Sequence, residues 1–395
     1  MIASLRAPSG ASLLRFPSPL VTPMNIHVSR FLVGLPCGLL VLAASAARGA
    51  DAPAASTTKP AAPAVATAAA PGSGPYHALK TIPVGGEGSF DYLTADPAAH
   101  RLYVSHGNVV MVLDTEKEAV VGQIDDTVGV HGIAIAPKLN RGYTSNGGAN
   151  EVSVVDLATL KTLSKVGTGR NPDAILFEPS QNEVWAFNHS GQSTTVFAAD
   201  TGKVVATVPL NGAVETGVAD SEAHRVYINL EDKNEVAVVD MKTHDVVARW
   251  PIAPGEGGTG LAIDVAHHLI FVGCGGNAKI VALDTTTGKV VANVPAGTGI
   301  DAAAFDPASG LVFASAGDGT VTIAHEDAPD KLTVVQNLKT EPRAKTMALD
   351  PVTHKIYLST ATYPAAAAGA RGRPAAVPGS FHVLVYGTEA ADKKP

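Results

Sequence analysis

Cysteine is almost absent. Cys37 and Cys274 are the only two in 395 residues, which excludes a disulfide framework, a zinc ribbon, a CxxC redox pair and a CxxCH haem attachment. Charged residues are also sparse, at 16%, with a net charge of −7 and no basic block, so there is no electrostatic footprint for a nucleic-acid backbone. No uninterrupted run of 18 apolar residues exists to span a membrane. GxSxG, HExxH and GxxxxGK[ST] are all missing, which removes the serine-hydrolase, zincin and nucleotide-triphosphatase readings that rest on them. Aromatic residues reach only 5%, whereas hydrophobic residues make up 46% and the chain holds 39 Gly and 27 Pro. That balance suits many short strands joined by tight turns rather than long helices.

The first 46 residues read as an address. Met24-Asn-Ile-His-Val-Ser-Arg30 is a short basic segment, Phe31–Ala44 is apolar, and Ala44-Ser-Ala46 is a small-x-small cleavage site. This is the three-part pattern of a secretory signal peptide, with Met24 as the expected true start and 1–23 as an upstream extension; the rival reading is one unusually long signal peptide from Met1. Cys37 lacks a Leu three positions upstream, so a lipid anchor is rejected. Cleavage removes Arg6, Arg15 and Arg30 and no acid, making the remainder more acidic and leaving Cys274 without an intrachain partner. Residues 47–75 are Ala, Pro, Thr, Ser and Gly with little to bury, and are expected to form a disordered tether. A periplasmic or secreted location follows as an expectation.

From residue 76 the chain repeats itself. Asp96, Ala136, Glu178, Asp220, Asp264, Asp306 and Asp350 each end a strand-like run, at gaps of 40 to 44, and Pro follows five of them. Seven residues after each anchor stands an aromatic: Tyr103, Tyr143, Trp185, Tyr227, Phe271, Phe313 and Tyr357. A third column places Asp114, Asp156, Asp200, Asp240 and Asp284 at the end of an aliphatic strand, with Glu326 in the sixth copy and Gly387 in the seventh. Each repeat therefore holds four short strands, as in 132–136, 142–145, 151–156 and 162–166.

Four-stranded units at this period predict an all-β fold, a single seven-bladed β-propeller of antiparallel blades over residues 76–389, followed by a polar tail at 390–395. The seventh repeat lacks a fourth strand and 77–84 is a strand without a blade, so the two should pair and close the ring. Closure leaves no open edge, and a monomer is expected. Along the first strands, large residues (Leu93, Ile133, Ile175) alternate with small ones (Ala134, Ala174, Ala262), so a large face of one blade can pack on a small face of the next.

Tyr103-Val-Ser-His106, Tyr143-Thr-Ser-Asn146 and Tyr357-Leu-Ser-Thr360, with the Val-Val-Asp and Thr-Gly-Lys-Val-Val runs, resemble the YVTN-type repeats of secreted YncE-like propellers. The resemblance covers all seven repeats. It implies the propeller fold and a binding or surface role, with lactonase-type propellers as the nearest enzymatic relatives.

Two glycine-rich motifs are read as structural. Gly255-Glu-Gly257-Gly-Thr-Gly260 matches GxGxxG but precedes a strand rather than the helix a dinucleotide site needs. Ala282-x-Asp284-x-x-Thr287-Gly288-Lys289 resembles quinoprotein repeats but has Ala292 where those carry a docking tryptophan.

Five positions before each anchor, where the first strand begins beside the channel, stand Asp91, His131, Asp173, Glu215, Thr259, Asp301 and Lys345. At the ends of second strands, on the same face, lie His106, Asn146, Asn188, Asn229 and Cys274, with His189 adjacent. Such groups either cap turns around a wet channel or form one polar site. As a site, Asp91, Asp173, Glu215 and Asp301 would supply oxygens for a divalent cation, with imidazole favouring a transition metal. Cys274 reads as a buried thiol. The stretch 361–380 is an insertion on that face, a lid or a disordered loop, carrying Arg371 and Arg373. The leading expectation is a non-catalytic binding or scaffold protein whose acidic mouth holds a small polar ligand, a cation or a protein partner. The alternative is a lactonase-type hydrolase using a metal or a His/Asp pair there.

Overall fold

Runs of β-branched and aromatic residues, punctuated by Gly, Asn, Asp and His, form seven antiparallel sheets of four strands each. The computed structural model describes residues 74–364 and 374–388, all of which fall in one compact unit, Pro63–Pro395. The expected signal peptide, all but the last two residues of the tether, Arg371 and Arg373, and the 390–395 tail lie outside the described residues. No helix among the described residues is long and apolar enough to cross a membrane.

Blades one to six occupy 90–124, 130–167, 172–209, 214–251, 258–295 and 300–339, each in sequential strand order. The seventh contains Met347–Asp350, Lys355–Thr360 and His382–Gly387, and its outermost strand is His77–Pro83 from the other end of the chain. Pairing runs from His77 opposite Gly387 to Pro83 opposite His382. The ring therefore closes as its unmatched strands require. Just before the closing strand, Tyr76 donates its N–H to the Gln336 side chain at 3.0 Å and packs its ring on Phe313 of blade six.

The repeat columns have physical causes. All seven aromatics of the repeat column in the second strands are buried, at 0–2% exposure. Each enters the apolar cluster shared with the following blade: Tyr103 packs with Ile133 and Val155, Trp185 with Val226 and Ile228, and Tyr357 with Leu93 and Leu102. Second and third strands are thus covered by neighbouring blades on both faces, while a fourth strand such as Val246–Pro251 is half wet. The anchor acids are turn caps. Asp220 Oδ1 accepts the backbone N–H groups of Glu222 and Ala223, at 3.0 and 2.9 Å, and Asp350 does the same for Val352 and Thr353. Four residues after the anchors, His100, Asn140, Asn182, His224, His268, Gly310 and His354 all have positive φ, which explains why Asn, His and Gly recur there.

Because Asp220 is buried and satisfies two backbone donors, Asp220→Ala should leave both without a partner. We expect a loss of about 1–2 kcal/mol, read as a lowered melting temperature with the ring intact in solution.

The third acid column requires two corrections. Asp114, Asp156, Asp240 and Asp284 end their strands, but in blade three Ala198 holds that place, opposite Glu183, and in blade six His325 holds it, opposite Leu311, with Glu326 one residue further along a strand that runs on to Ala328. The turn bond from Gly202 N to Ala198 O matches that from Gly288 N to Asp284 O, and Asp200 sits in the turn itself. The GxGxxG run leads into the strand Gly258–Asp264, as expected. Gly257 has φ +61°, and a Cβ at Gly260 would lie 2.5 Å from the Ala302 backbone of blade six, so these glycines serve a turn and a close blade-to-blade approach.

Candidate functional site at the channel mouth

The first strands line the channel, and the residues that begin them converge at one mouth. His131 of blade two is the centre of the arrangement. Its Nδ1 lies 2.7 Å from Asp91 Oδ2 of blade one and 3.5 Å from Asp173 Oδ1 of blade three. Its Nε2 is 3.3 Å from Asn171 Oδ1. With acceptors at both nitrogens, the ring is satisfied as an imidazolium, which donates twice. Burial opposes that charge, but the hydrogen bond to Asp91 and the charges of Asp173 and Asp91 outweigh it and raise the His131 pKa to about 9. His189, just beyond the second strand of blade three, pairs through Nδ1 with Glu215 Oε1 of blade four at 2.8 Å. The hydrogen bond to Glu215 is the main cause of its raised pKa.

Asp173 joins the two halves. Asp91–His131–Asp173 and Asp173–His189–Glu215 each bring their ligand atoms within 4.8 Å of one another. Burial pushes the Asp173 carboxyl up to about 7; His131 and His189 oppose the rise, and Asp91 and Glu215 add to it. Three carboxylates and two imidazoles from four successive blades thus form one continuous cluster of oxygen and nitrogen donors.

Across the mouth the residues are paired differently. Asp301 is buried against Lys345, with Nζ to Oδ2 at 2.6 Å. Burial raises the Asp301 pKa while Lys345 opposes the rise; burial also opposes the charge of Lys345, which Asp301 more than restores. The sequence expectation of four equivalent carboxylates is corrected accordingly: Asp91, Asp173 and Glu215 converge with histidines, whereas Asp301 is committed to a lysine. Thr259 donates its hydroxyl to the backbone oxygen of Ile300 at 2.7 Å and stands apart from the cluster.

The amides at the second-strand ends also lie elsewhere. Asn146 is fully buried, donating to Ser153 Oγ and accepting from Thr144. Asn188 donates to Ser193 and Thr195, and Asn229 to the Thr259 and Gly260 carbonyls. These amides bind strands together within and between blades because a side chain at a second strand's end turns into the sheet stack. His106 stacks on Phe381 at 4.2 Å between centroids, with Nδ1 3.1 Å from the Ser89 carbonyl, and burial lowers its pKa. Cys274 lies in the apolar cluster between blades four and five, its thiol pushed up to about 12 by burial. It is the inert thiol expected.

The described ends of the insertion do reach this face. Arg343 lies 3.7 Å over the Tyr363 ring and donates to the Pro374 carbonyl. Arg343 and Tyr363, with Lys345, Asp301 and Thr298, edge a cavity of about 860 Å³.

Sequence reasoning missed Tyr92. It lines the channel below the cluster and packs against the apolar cluster of blades three and four, although it belongs to blade one. Burial, then the charges of Asp173, Asp301, Asp91 and Glu215, raise its pKa far above the usual range. The phenol therefore stays neutral, an O–H floor beneath an acidic ring. The signal was available: the corresponding residues in the other repeats are Gly132, Ala174, Thr216, Gly260, Ala302 and Thr346, all small. Asn171 was missed because it precedes its strand in a loop position with φ +52°.

No family model matches this chain, and no curated protein matches it. Among solved structures it is similar to WD40-repeat propellers. The structure of U3-55K aligns over 78% of this chain and 98% of that one, at a TM-score of 0.65 and 10% identity. The WD40 repeats of RRP9 align over 81% and 99%, at 0.65 and 11%. At these identities the likeness establishes the propeller fold.

Proposed function

We propose that this chain is a secreted, YVTN-type binding propeller whose channel mouth holds a divalent transition-metal ion between blades one and four. The observation that carries the proposal is the pair of triads Asp91–His131–Asp173 and Asp173–His189–Glu215, each with its ligand atoms within 4.8 Å of one another and joined through Asp173. Mixed carboxylate and imidazole donors suit ions such as Mn²⁺, Co²⁺ or Zn²⁺ better than Ca²⁺, which takes oxygen ligands. Binding replaces the imidazolium protons with the ion, so affinity should rise with pH. Tyr92 lines the channel beneath with a neutral hydroxyl, and the Lys345–Asp301 pair leaves the opposite rim free to meet a polar ligand or a partner protein. The likeness to WD40-repeat propellers supports a scaffold able to present such a face.

The test is a thermal melt of chelator-treated protein with added Mn²⁺, Co²⁺, Zn²⁺ or Ca²⁺. An ion present at about 100 times its Kd should stabilise the fold by about 2.7 kcal/mol. Asp173→Asn should abolish most of that gain, whereas Asp301→Asn should retain it, because Asp301 serves Lys345. A wild type unmoved by all four ions, or equal loss in both variants, would reject this arrangement of ligands.

A further inference from the structure

A second cluster lies at the opposite ends of the strands, between blades five and six. Asp264 closes the first strand of blade five, His267 follows in its turn, and Glu326 projects from the third strand of blade six. His267 Nδ1 is 2.6 Å from Asp264 Oδ2 and 2.9 Å from Glu326 Oε1, and the three ligand atoms lie within 4.8 Å of one another. The two carboxylate side chains are only 5% and 4% exposed, but the imidazole is 58% exposed.

Two features separate this junction from comparable ones. At two other junctions the anchor acid meets a donor from the next blade: Glu178 accepts from Ser221 at 2.7 Å, and Asp306 faces His354 at 2.8 Å. At blade five the next blade brings another acid, Glu326, into the same space. Furthermore, Glu326 Oε2 is buried with no hydrogen-bond partner. A carboxylate oxygen withdrawn from water without a donor is costly, and a cation resolves that cost directly. Ligands around a tetrahedral ion at metal–ligand distances of about 2.0–2.2 Å stand roughly 3.3–3.6 Å apart, so the 2.6 and 2.9 Å spacings here need open only by a small shift for an ion to replace the shared proton. His267, on the wet side, can turn its ring, and water can complete the coordination.

We propose that Asp264, His267 and Glu326 form a second divalent transition-metal site, of the Zn²⁺ or Co²⁺ class, that staples blade five to blade six independently of the channel mouth. Its ligands fall in a turn and on adjoining blades, so an ion there adds a tie between two blades already joined by apolar packing and the Thr259–Ile300 hydrogen bond.

The experiment uses the full chain carrying Asp173→Asn, so that the mouth does not contribute, and measures Co²⁺ by equilibrium dialysis and by its visible absorption. We expect about one ion per chain, with binding lost in Glu326→Gln and weakened at least about tenfold in His267→Ala. The exposed His267 can be replaced without disturbing the fold, which covers the case in which Glu326→Gln fails to fold. No bound ion in the Asp173→Asn chain, or binding undiminished by either further substitution in a folded protein, would overturn the proposal. Failure at the mouth would leave this result untouched, and the converse also holds.

Discussion

A chain beginning at Gly85 is expected to aggregate or to melt at least about 10 °C below one beginning at Gly74. The strand His77–Pro83 is mostly exposed, with Ile82 its fully buried residue, so apolar area is not the main loss. Topology is. Blade seven is built from both ends of the chain, and the segment after Pro83 runs directly into blade one. Opening the contact between blades seven and one therefore requires unzipping a paired strand. Without that strand, side-chain packing among residues such as Leu93, Leu102, Val383 and Val385 and a few hydrogen bonds, such as that from Thr346 to the Asp91 carbonyl, hold the gap shut. The deletion also exposes the edge of His382–Gly387, a hydrophobic strand of the kind that pairs with other molecules. Losing several strand hydrogen bonds at about 1 kcal/mol each already exceeds the tolerance of most domains. Ile82→Ala offers a milder arm and should cost about 2–4 kcal/mol. Melting curves and size-exclusion profiles decide the matter: a monomeric Gly85 chain with the melting temperature of the Gly74 chain would show that the ring does not depend on closure.

The fold was legible because propeller repeats are repeats of physical constraints. An acid that caps a turn, a residue that tolerates positive φ, and an aromatic that fills the gap to the next blade each recur at fixed offsets. Counting them yielded both the blade number and the closing strand. The same logic misplaced Asp200, since a column of aspartates does not say which one ends a strand and which lies in the turn.

The site was half legible. The polar ring at the strand starts was correctly placed, but which members touch depends on side-chain reach across blades. His131 is long enough to meet both neighbouring acids, whereas Lys345 reaches Asp301 and removes it from the cluster. Asn146 and Asn188 shared the right end of their strands with candidate ligands, yet strand alternation turns them inward. Tyr92 stood out only as a large residue in a column of small ones, a departure that a search for chemistry-bearing residue types overlooks.

Stability in the absence of metal should fall as pH rises through the range of the channel mouth, and His131 should account for the alkaline part. Its folded pKa of about 9 lies above the ordinary histidine value of 6.5. A group raised in this way binds more protons folded than unfolded between the two values, so its stabilisation is complete below about pH 6.5 and lost by about pH 9. The shift sets a ceiling of about 3 kcal/mol. Asp173 acts in the same direction at lower pH: its carboxyl, raised from 3.8 to about 7 chiefly by burial, becomes costly to ionise as pH climbs across that interval. Denaturant unfolding of chelator-treated wild type from pH 6 to 9.5 should therefore show a decline that is shallower above about pH 7 in His131→Gln, since glutamine cannot hold the proton that neutralises Asp91 and Asp173. An ion reverses the sign. Once the metal takes the imidazole lone pair, protons compete with it, and the stabilisation it confers should grow with pH over the same range. Parallel pH profiles for wild type and His131→Gln without metal would remove His131 from the centre of the cluster. A metal-induced gain that shrinks as pH rises would show that the ion binds without the histidines.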